Sequence, residues 1–201
     1  MKRAFSLVLF IGAALSVTLT ASAGLLSFAR TEITSFTDPA FRERRLTNVM
    51  VLASLADIAL RTEAERAFVE QLNKSGISAL PSIDVIPPTR NYTAEEINRV
   101  VTDNGICDVM VIVLTDTAEK KTFIPPSFHT YGNSTYMYGG YTVSKPRLTF
   151  QITLYDAATG NAMWIASALT SGTAHADFKT IIKSLSRETA EKLKTDGFIQ
   201  K

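Results

Sequence analysis

Cysteine and histidine are scarce in this chain: one cysteine, Cys107, and two histidines, His129 and His175, in 201 residues. A single cysteine closes no internal disulfide, so the fold has to stand on its apolar core. Cys107 directly precedes the apolar run DVMVIVL, and free cysteine packs as a small hydrophobe, so a buried structural thiol is expected. The histidines lie far apart in sequence without a ligand-spaced partner, which removes the usual zinc signatures. No metal and no cofactor is expected. G-x-S-x-G, S-x-x-K, H-E-x-x-H, G-x-G-x-x-G and the Walker loop are all absent. A dispersed triad needs no contiguous motif, so enzyme activity stays as the third reading, behind two binding readings. Negative charge is missing from one long stretch. Between Lys120 and Tyr155 there is no Asp or Glu, while Lys120, Lys121, Lys145 and Arg147 are present.

What is present begins with MKRAFSLVLFIGAALSVTLTASAG. Lys2 and Arg3 form a basic n-region, an apolar h-region follows, and Ala21-Ser22-Ala23 supplies the small-x-small pattern of signal-peptidase cleavage. A transmembrane anchor needs about 20 apolar residues. Thr18, Thr20 and Ser22 interrupt the run, so cleavage after Ala23 and export to the periplasm or beyond are expected. No cysteine stands at the cleavage site to carry a lipid anchor. Residues 1–23 contain Lys2 and Arg3 and no acid, so the 21 basic and 19 acidic residues of the whole chain balance once the segment is removed. That balance leaves no global nucleic-acid footprint.

The remainder is of one-domain size. Residues 24–47 read as an extended segment and 48–201 as a single domain. NVMVLASL (48–55) reads as a buried strand. In TEAERAFVEQLNKSG, Thr62 and Glu65 have capping-box spacing, and Ala64, Phe68 and Leu72 share a helical face. ISALPSIDVIPP (77–88) reads as a strand interrupted by Pro81, which places it at a sheet edge or splits it. Thr93 and Glu96 form a second capping box, with Ile97, Val100 and Val101 as the apolar face. DVMVIVL (108–114) is apolar throughout and reads as a central strand. RLTFQITLY (147–155) alternates strictly, DAATG turns, and NAMWIASALT (161–170) returns as its hairpin partner. The last segment starts at Asp177 and carries Phe178, Ile181, Ile182, Leu185, Thr189 and Leu193 on one helical stripe. The fold class is therefore α/β (α+β): a single mixed sheet, β-α-β-α-β, then a β-hairpin and a C-terminal helix. Arg42, Arg44 and Arg45 stand just before the first strand and read as a solvated approach.

Between Pro125 and Pro146 lies the segment richest in aromatics. Four of the six tyrosines are here, and Phe128, Tyr131, Tyr136, Tyr138 and Tyr141 are the candidate interaction residues. Tyrosine brings large contact area at small entropic cost and is enriched at interfaces. The segment also reads as a long hairpin packed on its own sheet, as a platform for sugar rings, or as a bilayer-interface element.

An apolar strand from Asp108, a Gly/Tyr-rich excursion, an alternating strand, then YDAATGNAMW with Asp156, Gly160 and Trp164 resembles a bacterial cell-envelope family of small secreted proteins and lipoproteins. More loosely, the front half is similar to the amino-terminal domain of the Tol-system propeller protein and to the curli-secretion lipoprotein. The resemblance implies an envelope role without catalytic residues. The expectation is a non-catalytic envelope binding or assembly module that uses the aromatic, basic loop on another envelope protein. The alternative is a module binding a small ligand, a glycan or peptidoglycan. No nucleic-acid partner and no transmembrane segment after cleavage are expected, and the oligomeric state stays open.

Overall fold

The computed structural model describes residues 28–131 and 134–200, with backbone alone at 128–131, 134–136 and 138. The expected signal segment and its cleavage site lie outside the described residues.

Strand β1 (Ala29–Thr37) leads through a short 3-10 turn (Pro39–Phe41) to β2 (Asn48–Ser54). Helix α1 (Ile58–Lys74), β3 (Ser78–Pro81), α2 (Ser82–Val85) and α3 (Ala94–Asp103) follow. Then come β4 (Asp108–Ile124), β5 (Ser127–Tyr131), β6 (Ser134–Tyr138), β7 (Tyr141–Asp156), β8 (Ala162–Gly172) and α4 (Phe178–Thr195). Six strands form one mixed sheet in the order β1-β8-β7-β4-β2-β3, and β5 with β6 form a separate two-stranded sheet. β2 is parallel to both β3 and β4, so the chain needs the crossovers that the helices between them supply. The remaining pairs are antiparallel.

One face of the sheet carries the core. Ile112, Phe150, Ile152, Leu154, Trp164, Ala166 and Ala168 meet Ala64, Phe68 and Leu72 of α1 and Ile181, Ile182, Leu185 and Leu193 of α4. Both stripes are the ones their helical period requires. Trp164 is 1% exposed, and its Nε1 donates to Asp196 Oδ2 at 2.8 Å. The pairing changes register between Leu154 and Tyr155, which lets Met163 as well as Trp164 be buried.

Several expectations are corrected. The extended segment at 24–47 contains β1, an edge strand paired with β8 along its whole length, so the sheet begins before residue 48. Helix α1 begins earlier than the Thr62–Glu65 spacing indicates: Asp57 caps it, accepting from the N–H groups of Ala59 and Leu60. Thr62 donates to Ile58 O inside the helix, and Glu65 is fully buried. Asp is as good a cap as Thr, and an S/T-x-x-E spacing also occurs within a helix face. The strand at 77–88 shrinks to Ser78–Pro81, at the sheet edge where Pro81 belongs, and the following residues coil into α2. The Thr93–Glu96 capping box is present, but α3 has no buried residue and Ile97 is 37% exposed. Cys107 is partly exposed, with its Sγ 3.6 Å from Gly105 O, because it precedes the strand instead of lying in it.

Candidate functional site

β4 and β7 do not stop where the sequence pattern does. They pair from Asp108↔Asp156 to Ile124↔Tyr141, whereas β8 leaves β7 at Arg147↔Ser171. The stretch from Glu119↔Pro146 outward is therefore a two-stranded arm. Pro146, expected to bound the excursion, lies inside β7 just past the last β7–β8 pair, where a missing N–H is tolerated. At the arm's end Gly140 N donates to Ile124 O at 2.7 Å. Gly139 has φ of 94°, and a Cβ there would stand 2.2 Å from Pro125 O, so only glycine fits.

Beyond this turn, among the described residues, β5 and β6 pair only with each other. Phe128 faces Met137, His129 faces Tyr136, and Tyr131 faces Ser134 in their register. The side chains of Phe128, Tyr131, Tyr136 and Tyr138 lie outside the described residues. Tyr141 opens β7 opposite Ile124. Five candidate residues are thus collected on one hairpin and the arm that carries it. Phe123 and Met137 join them, 61% and 66% exposed; sequence reasoning missed both because Phe123 lies before Pro125 and Met137 is not aromatic.

The arm's two faces differ. A register shift between Leu114 and Asp116 inserts Thr115 as a bulge, with its Oγ1 donating to Thr149 O at 3.1 Å. The extra residue reverses which alternate side chains point outward. Lys120 and Thr122 thereby join Lys145 and Arg147 on the face away from α1 and α4, while Lys121 and Phe123 turn to the other.

Elsewhere the buried ionisable groups are structural. Glu65 Oε1 accepts from Ala53 N, Arg61 Nε and Ser82 Oγ, and Oε2 accepts from Ile83 N. The carboxylate ties the end of β2 to α1 and α2. Arg44, expected to be solvated, donates from its terminal nitrogen to Asp108 Oδ1 at 3.1 Å. Asp108 is fully buried, stands opposite Asp156, and among the described residues its Oδ2 has no hydrogen-bond partner. Burial pushes the Asp108 carboxyl up, and Arg44 opposes that shift. Among the described residues no cluster of three or more His, Cys, Asp or Glu is placed to hold a metal ion. No described helix is long and apolar enough to cross a membrane.

No family model and no curated protein matches the sequence. Solved structures do match. The chain is similar to the PelC dodecamer from Paraburkholderia phytofirmans, with TM-score 0.50 and 13% identity over 85% of this chain and 99% of that one. It is also similar to lipoprotein GNA1162 from Neisseria meningitidis, with TM-score 0.43 and 12% identity over 74% of this chain and 99% of that one. At such identities what this chain shares with PelC is the fold.

Proposed function

We propose that this chain is an exported, non-catalytic assembly module of the bacterial envelope, and that copies of it associate through the β4–β7 arm and its hairpin. The observation that carries the reading is the arm itself. It projects past the third strand, wears Phe123 and Met137 in solvent, and among the described residues adds nothing to the buried cluster. Isolated two-stranded hairpins are marginal in water, so an arm of this length gains most from a partner surface. The n-region, h-region and A-x-A pattern support export. The dodecameric state of PelC, whose fold this chain shares, supports a role between subunits. A non-catalytic reading is supported by the use of the Glu65 and Asp108 carboxylates in backbone and arginine contacts.

The test replaces residues 125–140 by a two-residue Asn-Gly turn joining Ile124 to Tyr141. Sedimentation velocity on the mature protein is expected to show an oligomer for the native sequence and a monomer for the shortened one. The melting temperature should stay within a few degrees, since β5 and β6 pair only with each other. A native protein that sediments as a monomer, unchanged by the replacement, rules out self-association through the arm.

A further inference from the structure

A cationic groove of about 340 Å³ lies at the foot of the arm, on the sheet face away from α1 and α4. Arg30 of β1, Lys120 of β4, and Lys145 and Arg147 of β7 line it, with the hydroxyls of Thr122 and Ser171. We propose that this groove binds a segment of acidic glycan through its carboxylates.

Charge placement is the first argument. Lys120 and Lys145 stand directly opposite each other across β4 and β7. Like charges in that relation are destabilising, and an anion between them reverses the sign. No described carboxylate pairs with Lys120, Lys145 or Arg147. Glu32, also in the groove, reaches Arg30 only, at 3.8 Å.

Spacing selects the class of anion. Lys145 and Arg147 lie two residues apart on one strand, about 7 Å, and Arg147 and Arg30 lie on either side of β8, about 10 Å apart. One phosphate or carboxylate cannot span such an array, whereas a chain with repeated anionic groups can. Thr122 and Ser171 interleave hydroxyl donors and acceptors with the cations, which suits a hydroxyl-rich chain. The site is concave, so it fits a strand of polymer better than the flat array of headgroups on a bilayer. The envelope reading enters only in preferring a glycan to a nucleic acid.

The experiment is calorimetric titration of the mature protein with a galacturonate oligomer, a neutral dextran oligomer, a single-stranded DNA oligomer, and vesicles containing anionic phospholipid. The galacturonate oligomer should bind, dextran should not, and raising salt from about 0.05 M to about 0.5 M should weaken the binding. Lys145→Ala with Arg147→Ala should weaken it about tenfold or more, as the loss of charge-assisted bonds requires. Arg30→Ala, on a different strand, should weaken it as well. Lys179→Ala with Lys183→Ala removes the same charge from exposed positions on α4 and should change nothing. Lys145→Glu separates folding from binding: it relieves the opposed lysines, so the melting temperature should rise while glycan binding disappears. The proposal is overturned by equal binding of dextran, by unchanged binding in the double groove variant, or by tighter binding of the vesicles or the DNA. Sedimentation of the Arg30→Ala variant, which lies in the groove but outside the arm, should match that of the native protein, so failure here leaves the arm reading standing, and failure of the arm leaves the groove.

Discussion

Asp196, just past the end of α4, holds three groups at once. Trp164 Nε1 and Ser35 Oγ donate to its Oδ2, and Lys192 Nζ donates to Oδ1. Burial pushes this carboxyl up, but the bonds from Lys192, Ser35 and Trp164 together outweigh it and hold it below the usual aspartate value. A depressed acid adds stability above its unfolded value, about 3.9, and loses it as pH falls through the folded value. Asp108 has the opposite sign: its raised carboxyl favours folding most at low pH, and that contribution fades as pH rises. Asp196→Asn should therefore lower the melting temperature near neutral pH, and its deficit against the native protein should shrink below about pH 4. A deficit independent of pH between neutrality and pH 2.5 would count against a charged contact. Glu65 is the other residue on which much depends. Glu65→Ala leaves the Arg61 guanidinium and the amides of Ala53 and Ile83 without their acceptor. Breaking one side of a buried, hydrogen-bonded pair costs about 3–5 kcal/mol, to be read from urea unfolding. A loss under about 1 kcal/mol would mean that water replaces the carboxylate.

Among the elements, α3 is the one held most by its own chemistry. Thr93 Oγ1 accepts from Glu96 N at 3.2 Å, while Glu96 Oε2 accepts from Thr93 N at 2.9 Å. Arg90 adds an ion pair to Glu96 at 2.8 Å. With no buried residue in the helix, little tertiary packing compensates when a cap is lost. Thr93→Ala should destabilise α3 locally by about 1 kcal/mol. Hydrogen exchange of the Ile97–Asp103 amides should quicken while the global unfolding midpoint moves less. An equal shift in every protected amide would show that α3 opens only with the whole domain. The sequence pattern read this helix's cap correctly, while of its apolar face Val100 and Val101 are half-buried and Ile97 is exposed. The cap depends on residues three apart, whereas the face depends on a neighbour that periodicity cannot see.

At the scale of the whole molecule, local chemistry in the sequence was enough for the order of β2, α1, β3, α3, β4, β7, β8 and α4 and for the mixed character of the sheet. It was not enough for β1, which it read as an extended segment. The alternation of 147–155 and its turn at Asp156–Gly160 specify an antiparallel pair, since a period of two commits every second side chain to one face. The stripes of α1 and α4, the central position of β4, and a large buried aromatic at Trp164 were legible for the same reason. The concentration of aromatics and cations between Lys120 and Arg147 was legible too, as composition. Tertiary structure alone decided where those cations point. A bulge at Thr115, which no local pattern marks, shifts the alternation by one and sends Lys120 outward to meet Lys145. Pairing with β8 brings Arg30, more than a hundred residues earlier in the chain than Arg147, to the same groove. Asp108 and Arg44 are likewise joined only by folding, across 64 residues. Spacing along a chain governs what happens within one element. Contacts between distant strands follow from burial and register summed over the whole sheet, and only the folded chain performs that sum.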